Sequence, residues 1–146
     1  MESKIENVFV AGAISPDFIA KSISTLQSNS SIGAHDIFLG QVRADTIDQK
    51  IVSAIDYSAY ETMANQKFLE IKSTAFDRYN LSEVQIYHSL GRVNVGEICL
   101  FVLVASPHRK EAFEGLRHVV EAIKKEVPVF GKEVFGDDSY QWKVNT

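Results

Sequence analysis

The side chains with the clearest chemical use in this sequence are cations: Arg43, the adjacent His108 and Arg109, and Lys124, Lys125 and Lys132 around Pro128. His108 and Arg109 follow Ser106-Pro107, a hydroxyl and a proline that together mark a helix start. In the first turn of that helix, unpaired backbone N–H groups and the positive dipole end favour an anion such as phosphate. The plainer reading of the pair is two solvated residues near a helix end. Lys124 sits near the C-terminal end of the same helix, where dipole and solvent favour a cation in any case. A partly desolvated amine there can also act as an acid or base near neutral pH. Arg43 closes an extended segment just beyond Gly40, and its planar fork can bind two phosphate oxygens, or simply sit in solvent on a loop.

Other reactive residue types carry weaker signals. His88 alternates with Val84, Ile86 and Leu90 and reads as a core or cross-strand histidine, not a ligand. His35 and His118 have no metal-ligand spacing, and a single cysteine cannot build a thiolate site, so neither metal nor cofactor is expected. Cys99 lies within the apolar run from Ile98 to Val104 and reads as a buried small hydrophobe. There is no glycine-rich phosphate loop, no nucleophile-elbow serine and no dinucleotide fingerprint. Phe130, Phe135, Tyr140 and Trp142 read as core or subunit-interface residues.

The elements that position these residues follow from periodicity. Ser15-Pro16-Asp17 starts a short helix marked by Ile19, Ile23 and Leu26, which the polar stretch from Gln27 to Ser31 ends. An extended segment from Gly33 to Val42 leads to a polar excursion, Arg43 to Lys50, expected to be a mobile loop. Alternation from Ile51 to Tyr60 predicts a strand, and Ala64, Phe68, Ile71 and Ala75 mark one face of a helix from Glu61 to Tyr79. A strand through Val84–Leu90, a turn from Gly91 to Gly96 and an apolar central strand from Glu97 to Ala105 follow. Ala112, Phe113, Leu116, Val119, Val120, Ile123 and Val127 then form the stripe of a helix that Pro128 stops. Lys132–Phe135 and Tyr140–Val144 pair as a hairpin across Gly136 to Ser139. These 146 residues therefore predict one α+β domain over residues 1–146, with a largely antiparallel sheet packed by helices.

The balance of 15 Lys and Arg against 19 Asp and Glu, a net charge of −4, opposes a nucleic-acid-binding surface and confines any anion site to a local patch. No apolar run reaches membrane-spanning length and the N-terminus lacks the features of a signal peptide, so a cytoplasmic location is expected.

Several short motifs go further. Phe38-Leu39-Gly40-Gln41-Val42-Arg43, the stretch from Tyr57 to Ala64, His88 with Gly91 and Val95-Gly96-Glu97, Ser106-Pro107-His108-Arg109 with Ala112-Phe113, Lys124 with Val127-Pro128, and Trp142-Lys143 occur in this order. Together they resemble the molybdopterin synthase large-subunit family, from Gly33 onward. The resemblance implies an α/β hammerhead-like fold and a sulfurtransferase that converts cyclic pyranopterin monophosphate to molybdopterin, with two sulfurs supplied by the thiocarboxylated C-terminus of a small ubiquitin-like carrier subunit. It also implies a homodimer that binds two carriers, making a heterotetramer, and no metal or cofactor at this step. Site positions carried over are Gln41, Val42, Arg43, His108, Arg109, Lys124, Gly131, Lys132 and Glu133, with Lys124 and Lys132 as catalytic lysines. Gly131 departs from the family pattern, which has a basic residue there. Either Lys132 reaches in through a local backbone shift that glycine permits, or the site is weakened and the chain binds carrier or pterin phosphate without turnover.

Overall fold

The computed structural model describes residues 5–143. In chain order they form β1 (Phe9–Ala11), α1 (Pro16–Leu26), β2 (Ala34–Gln41), β3 (Thr46–Ile47), β4 (Lys50–Ala59), α2 (Glu61–Arg78), β5 (Glu83–Asn94), β6 (Ile98–Ser106), α3 (Arg109–Glu126), β7 (Val129–Phe135) and β8 (Tyr140–Trp142). The strands join in the order β2-β6-β5-β4-β7-β8, each antiparallel to its neighbour, with β3 hairpinned onto β4 and β1 lying parallel to β5. The expected single α+β architecture with a largely antiparallel sheet is what forms.

β5 serves two groups of strands. Its first half, Glu83 to His88, pairs with β6, while Gly91 to Asn94 pairs with β4. The change falls at Gly91, whose φ of +83° is accessible to glycine at little cost. Gly91 was expected to open a turn; it bends the strand instead, and the turn shrinks to the residues around Gly96. The polar excursion after Val42 also differs from expectation. Thr46–Ile47 pairs with Lys50 and Ile51 across Asp48 and Gln49, at φ 50° and 68°, the two left-handed positions of a tight hairpin turn.

Both faces of the sheet are covered. α2 turns Ala64, Phe68, Ile71 and Ala75 inward, as their spacing predicts, and α3 adds Val119 and Ile123 over Val84, Ile86, Val102 and Val104. On the other face α1 packs Ile19 against Phe101 and Leu103, and Phe18 meets Tyr87 edge-on at 4.8 Å. Because β6 is covered on both sides, every residue from Cys99 to Ser106 is buried, which explains its uninterrupted apolar run. Full burial of a side chain such as Phe68 contributes about 1.5–3 kcal/mol. Ser15 caps α1 as expected, its hydroxyl oxygen accepting from the Phe18 N–H at 3.1 Å. Ser106 does not cap α3: it ends β6, its hydroxyl donates to the His108 carbonyl, and the helix begins at Arg109. Phe113 falls off the buried stripe of α3 and is 57% exposed. The β7–β8 hairpin forms, with β7 starting at Val129; the expected end of its second strand, Val144, lies outside the described residues.

The bend at β5 is testable. Gly91→Ala, which places a Cβ at positive φ in otherwise open space, is expected to cost about 1–2 kcal/mol in urea unfolding. Gly136→Ala, equally open but without that φ, is expected to change stability by less than about 0.5 kcal/mol.

Candidate functional site

Tyr57 in β4 lies opposite Gly91 on one side and Gly131 of β7 on the other. Registered neighbours share a face, so the phenol ring stands between two positions that carry no side chain. Beside Tyr57 and Gly131, beneath the C-terminal end of α3, lies a cavity of about 540 Å³. Tyr57, His88 and Cys99 form its floor, with Gly40 and Gln41 at one edge. Lys124 and Lys125 descend from α3, and Phe130, Trp142 and Lys143 close the side toward β7 and β8. Among the described residues, three lysines and no carboxylate line it, which makes it a local anion-attracting site in a chain of net charge −4.

The floor is neutral. His88 is buried, and its Nδ1 lies 2.8 Å from the Ser89 carbonyl oxygen. That acceptor assigns the proton to Nδ1 and leaves Nε2 as an acceptor. Burial, helped by the nearby charge of Lys124, pushes the His88 pKa down to about 4 against the opposing effect of the Ser89 carbonyl. Its ring meets Tyr57 edge-on at 5.0 Å. Burial pushes the Tyr57 hydroxyl far above the usual phenol range, and the Cys99 thiol and the Glu133 carboxyl add to the shift. The Cys99 thiol also donates to the Gly40 carbonyl at 3.4 Å. Tyr57 and His88 therefore offer uncharged polar groups, and the formal charge of the cavity resides on the lysines of its walls.

The sequence-predicted residues divide by position. Lys124, Gln41 and Gly131 meet in the cavity. Val42 is buried, its N–H donating to the Glu97 carbonyl at 3.0 Å, and belongs to the core. Arg43 lies just beyond β2, largely exposed and paired with Asp45 at 3.3 Å. His108 and Arg109 are exposed at the opposite end of α3, with about 22 Å of helix between Arg109 and Lys124. Lys132 does not line the cavity: its Nζ lies 4.2 Å from the Tyr140 ring centroid and 5.6 Å from that of Trp142. Of the two alternatives for position 131, the local backbone shift is not seen: β7 pairs with β4 without a break from Val129 to Val134, and Gly131 is not among the positive-φ glycines. Glu133 is buried on the Tyr57 side, accepting from Gln141 Nε2 at 3.5 Å. Sequence reasoning gave no role to Tyr57, Cys99 or Lys143, and read His88 as core. Their periodicity gives a face, but the cavity they line is assembled from β2, β4, β5, β6, β7, the end of α3 and the end of β8, which only the strand order brings together.

The family model described as MoaE protein matches residues 13–126. The molybdopterin synthase catalytic subunit of Pyrococcus abyssi is 37% identical over 124 residues, covering 85% of this chain and 83% of that protein. Other relatives of the same description are longer, and the chain spans 60% of one and 34% of another. Among solved structures, molybdopterin synthase from Staphylococcus aureus matches with a TM-score of 0.81 and 26% identity over 98% of this chain and 99% of that one. A complex of subunits 1 and 2 of molybdopterin-converting factor from Helicobacter pylori shares the fold, with a TM-score of 0.79 at 21% identity over 92% of this chain and 87% of that one.

The state of His88 sets a pH dependence. Its folded pKa of about 4 lies below the ordinary 6.5, so between these values the unfolded chain binds the extra proton. This contribution to stability is complete above about pH 6.5 and is lost progressively toward pH 4, by up to about 3 kcal/mol. His88→Gln is expected to flatten that part of the stability profile, and NMR titration of the wild-type ring should show no protonation at pH 6; a midpoint near 6.5 contradicts the assignment.

Proposed function

The chain belongs to the MoaE family of molybdopterin synthase catalytic subunits, and we propose that it converts cyclic pyranopterin monophosphate to molybdopterin with sulfur delivered by the thiocarboxylated C-terminus of a small carrier subunit. The observation that carries this reading is a cavity that, among the described residues, is lined by three lysines and no carboxylate over a neutral Tyr57–His88 floor. Both reactants are anions, a pterin phosphate and a thiocarboxylate, and their mutual repulsion opposes any encounter. A cavity whose lining carries lysines and, among the described residues, no carboxylate offsets that repulsion, and its fixed groups need not reorganise as charge shifts during reaction.

The thiocarboxylate sulfur is already a good nucleophile, so what remains for the protein is positioning, charge stabilisation and proton transfer. Lys124, at the cavity and near the buried imidazole of His88, serves as the general acid or base and orients the thiocarboxylate. Gln41 adds an amide at the edge. Arg43 is held only by an exposed ion pair with Asp45, worth little in water, and can exchange that partner for the substrate phosphate. His108 and Arg109 sit too far along α3 to reach the same small substrate from within one chain. They take part through the homodimer, in which a second copy brings its helix start toward the first copy's cavity, and each copy docks one carrier. A reading as a carrier-binding protein without turnover draws on Gly131, which adds no amine, and on the outward course of Lys132.

In an assay reconstituted with thiocarboxylated carrier, Lys124→Ala is expected to lower turnover by about 10²–10⁴-fold with unchanged thermal unfolding. Lys132→Ala, which removes only an exposed cation–ring contact, is expected to stay within about fivefold of wild type. Normal turnover by Lys124→Ala overturns the assignment.

A further inference from the structure

Besides the end of α3, the cavity is lined by the exposed Lys143 just past the end of β8. The Lys143 N–H, one residue past that strand, donates to the Gly131 carbonyl at 2.8 Å and extends the antiparallel pairing of Lys132 with Trp142. Position 143 is therefore the cross-strand partner of position 131, and antiparallel partners project to the same face. That face is the one holding Tyr57. A Cβ built on Gly131 would stand 3.1 Å from Ile55 Cγ2, 3.4 Å from Tyr57 Cε1 and 3.7 Å from Lys143 Cβ. The sheet side of position 131 is thus closely packed, and the lysine stem at 143 runs alongside the bare glycine.

On the opposite face, the Lys132 amine lies against the Tyr140 and Trp142 rings and ties β8 to β7. Adjacent lysines on the two strands are thereby given different tasks by pleat alone: Lys132 braces the hairpin from outside, and Lys143 borders the cavity. Among the lysines lining the cavity, Lys124 and Lys125 come from the end of one helix, whereas Lys143 comes from the sheet.

We propose that Lys143 is a substrate-positioning residue, its ammonium holding the anionic group of the bound substrate from the sheet side of the cavity. A cation from the sheet adds a further direction of attraction to those of Arg43 and the α3 lysines, and so fixes an anion's position as well as its affinity. The inference rests on the function proposed above.

The test measures steady-state turnover with thiocarboxylated carrier, and equilibrium binding of cyclic pyranopterin monophosphate to the chain alone, for wild type, Lys143→Met, Lys143→Arg and the remote control Lys21→Gln. Lys143→Met is expected to raise KM and weaken binding about tenfold, the effect of losing one charge-assisted contact, with kcat changed by less than about threefold. Lys143→Arg should recover most of the loss, and Lys21→Gln, on the exposed side of α1, should match wild type. KM and binding within twofold of wild type in Lys143→Met overturn the proposal, as does a loss that Lys143→Arg leaves unrestored. A wild-type chain that binds the pterin phosphate without turnover, with binding about tenfold weaker in Lys143→Met, upholds Lys143 and sinks the catalytic reading. A wild-type chain that neither binds nor turns over overturns both.

Discussion

One backbone angle governs much of this molecule: the positive φ of Gly91, which lets a single strand leave one group of partners and join another. β6 and β1 hold the first half of β5, and β4 holds the second. Had the strand ended at residue 91, β4, β7 and β8 would have no continuous hydrogen-bonded link to the central strand. Because it bends, the sheet acquires an inner corner, and the residues in register at that corner are Gly91, Tyr57 and Gly131. Tyr57 and Gly131 line the cavity that opens beside this corner.

The chemistry follows from how polar groups are arranged around that space. Burial keeps His88 and Tyr57 uncharged near neutral pH, so neither competes with the lysines for an anion or cancels their field. The end of α3 supplies Lys124 and Lys125 where helix carbonyls already favour ammonium groups. Lys143 enters from the sheet. This division of labour, neutral floor and cationic walls, explains how an acidic chain keeps a site for anionic reactants without a basic surface.

Much of the scaffold was legible in the sequence because its signals are local. The Ser15-Pro16 start of α1, the Ala64–Phe68–Ile71–Ala75 stripe of α2 and the doubly covered run of β6 each depend on nearest-neighbour spacing. Errors arose where a residue can serve two geometries. Gly91 reads as a turn but bends a strand, Ser106-Pro107 reads as a cap but ends β6, and the polar run after Val42 hides a tight hairpin. Of the site candidates read from the sequence, Lys124 and Gln41 line the cavity and Lys132 does not, because its place depends on pleat and register that are invisible without strand order. His88 looked like a core residue and is one, while also flooring the cavity.

The central claim is that the unaltered chain, with its glycine at position 131, is a competent catalyst. The most direct measurement mixes the purified chain with thiocarboxylated carrier and cyclic pyranopterin monophosphate and follows dithiolene formation against consumption of thiocarboxylate. The account predicts catalytic formation of molybdopterin, with two thiocarboxylates consumed for each product. A stable complex of the two proteins that consumes thiocarboxylate no faster than carrier alone, and yields no dithiolene, would contradict it.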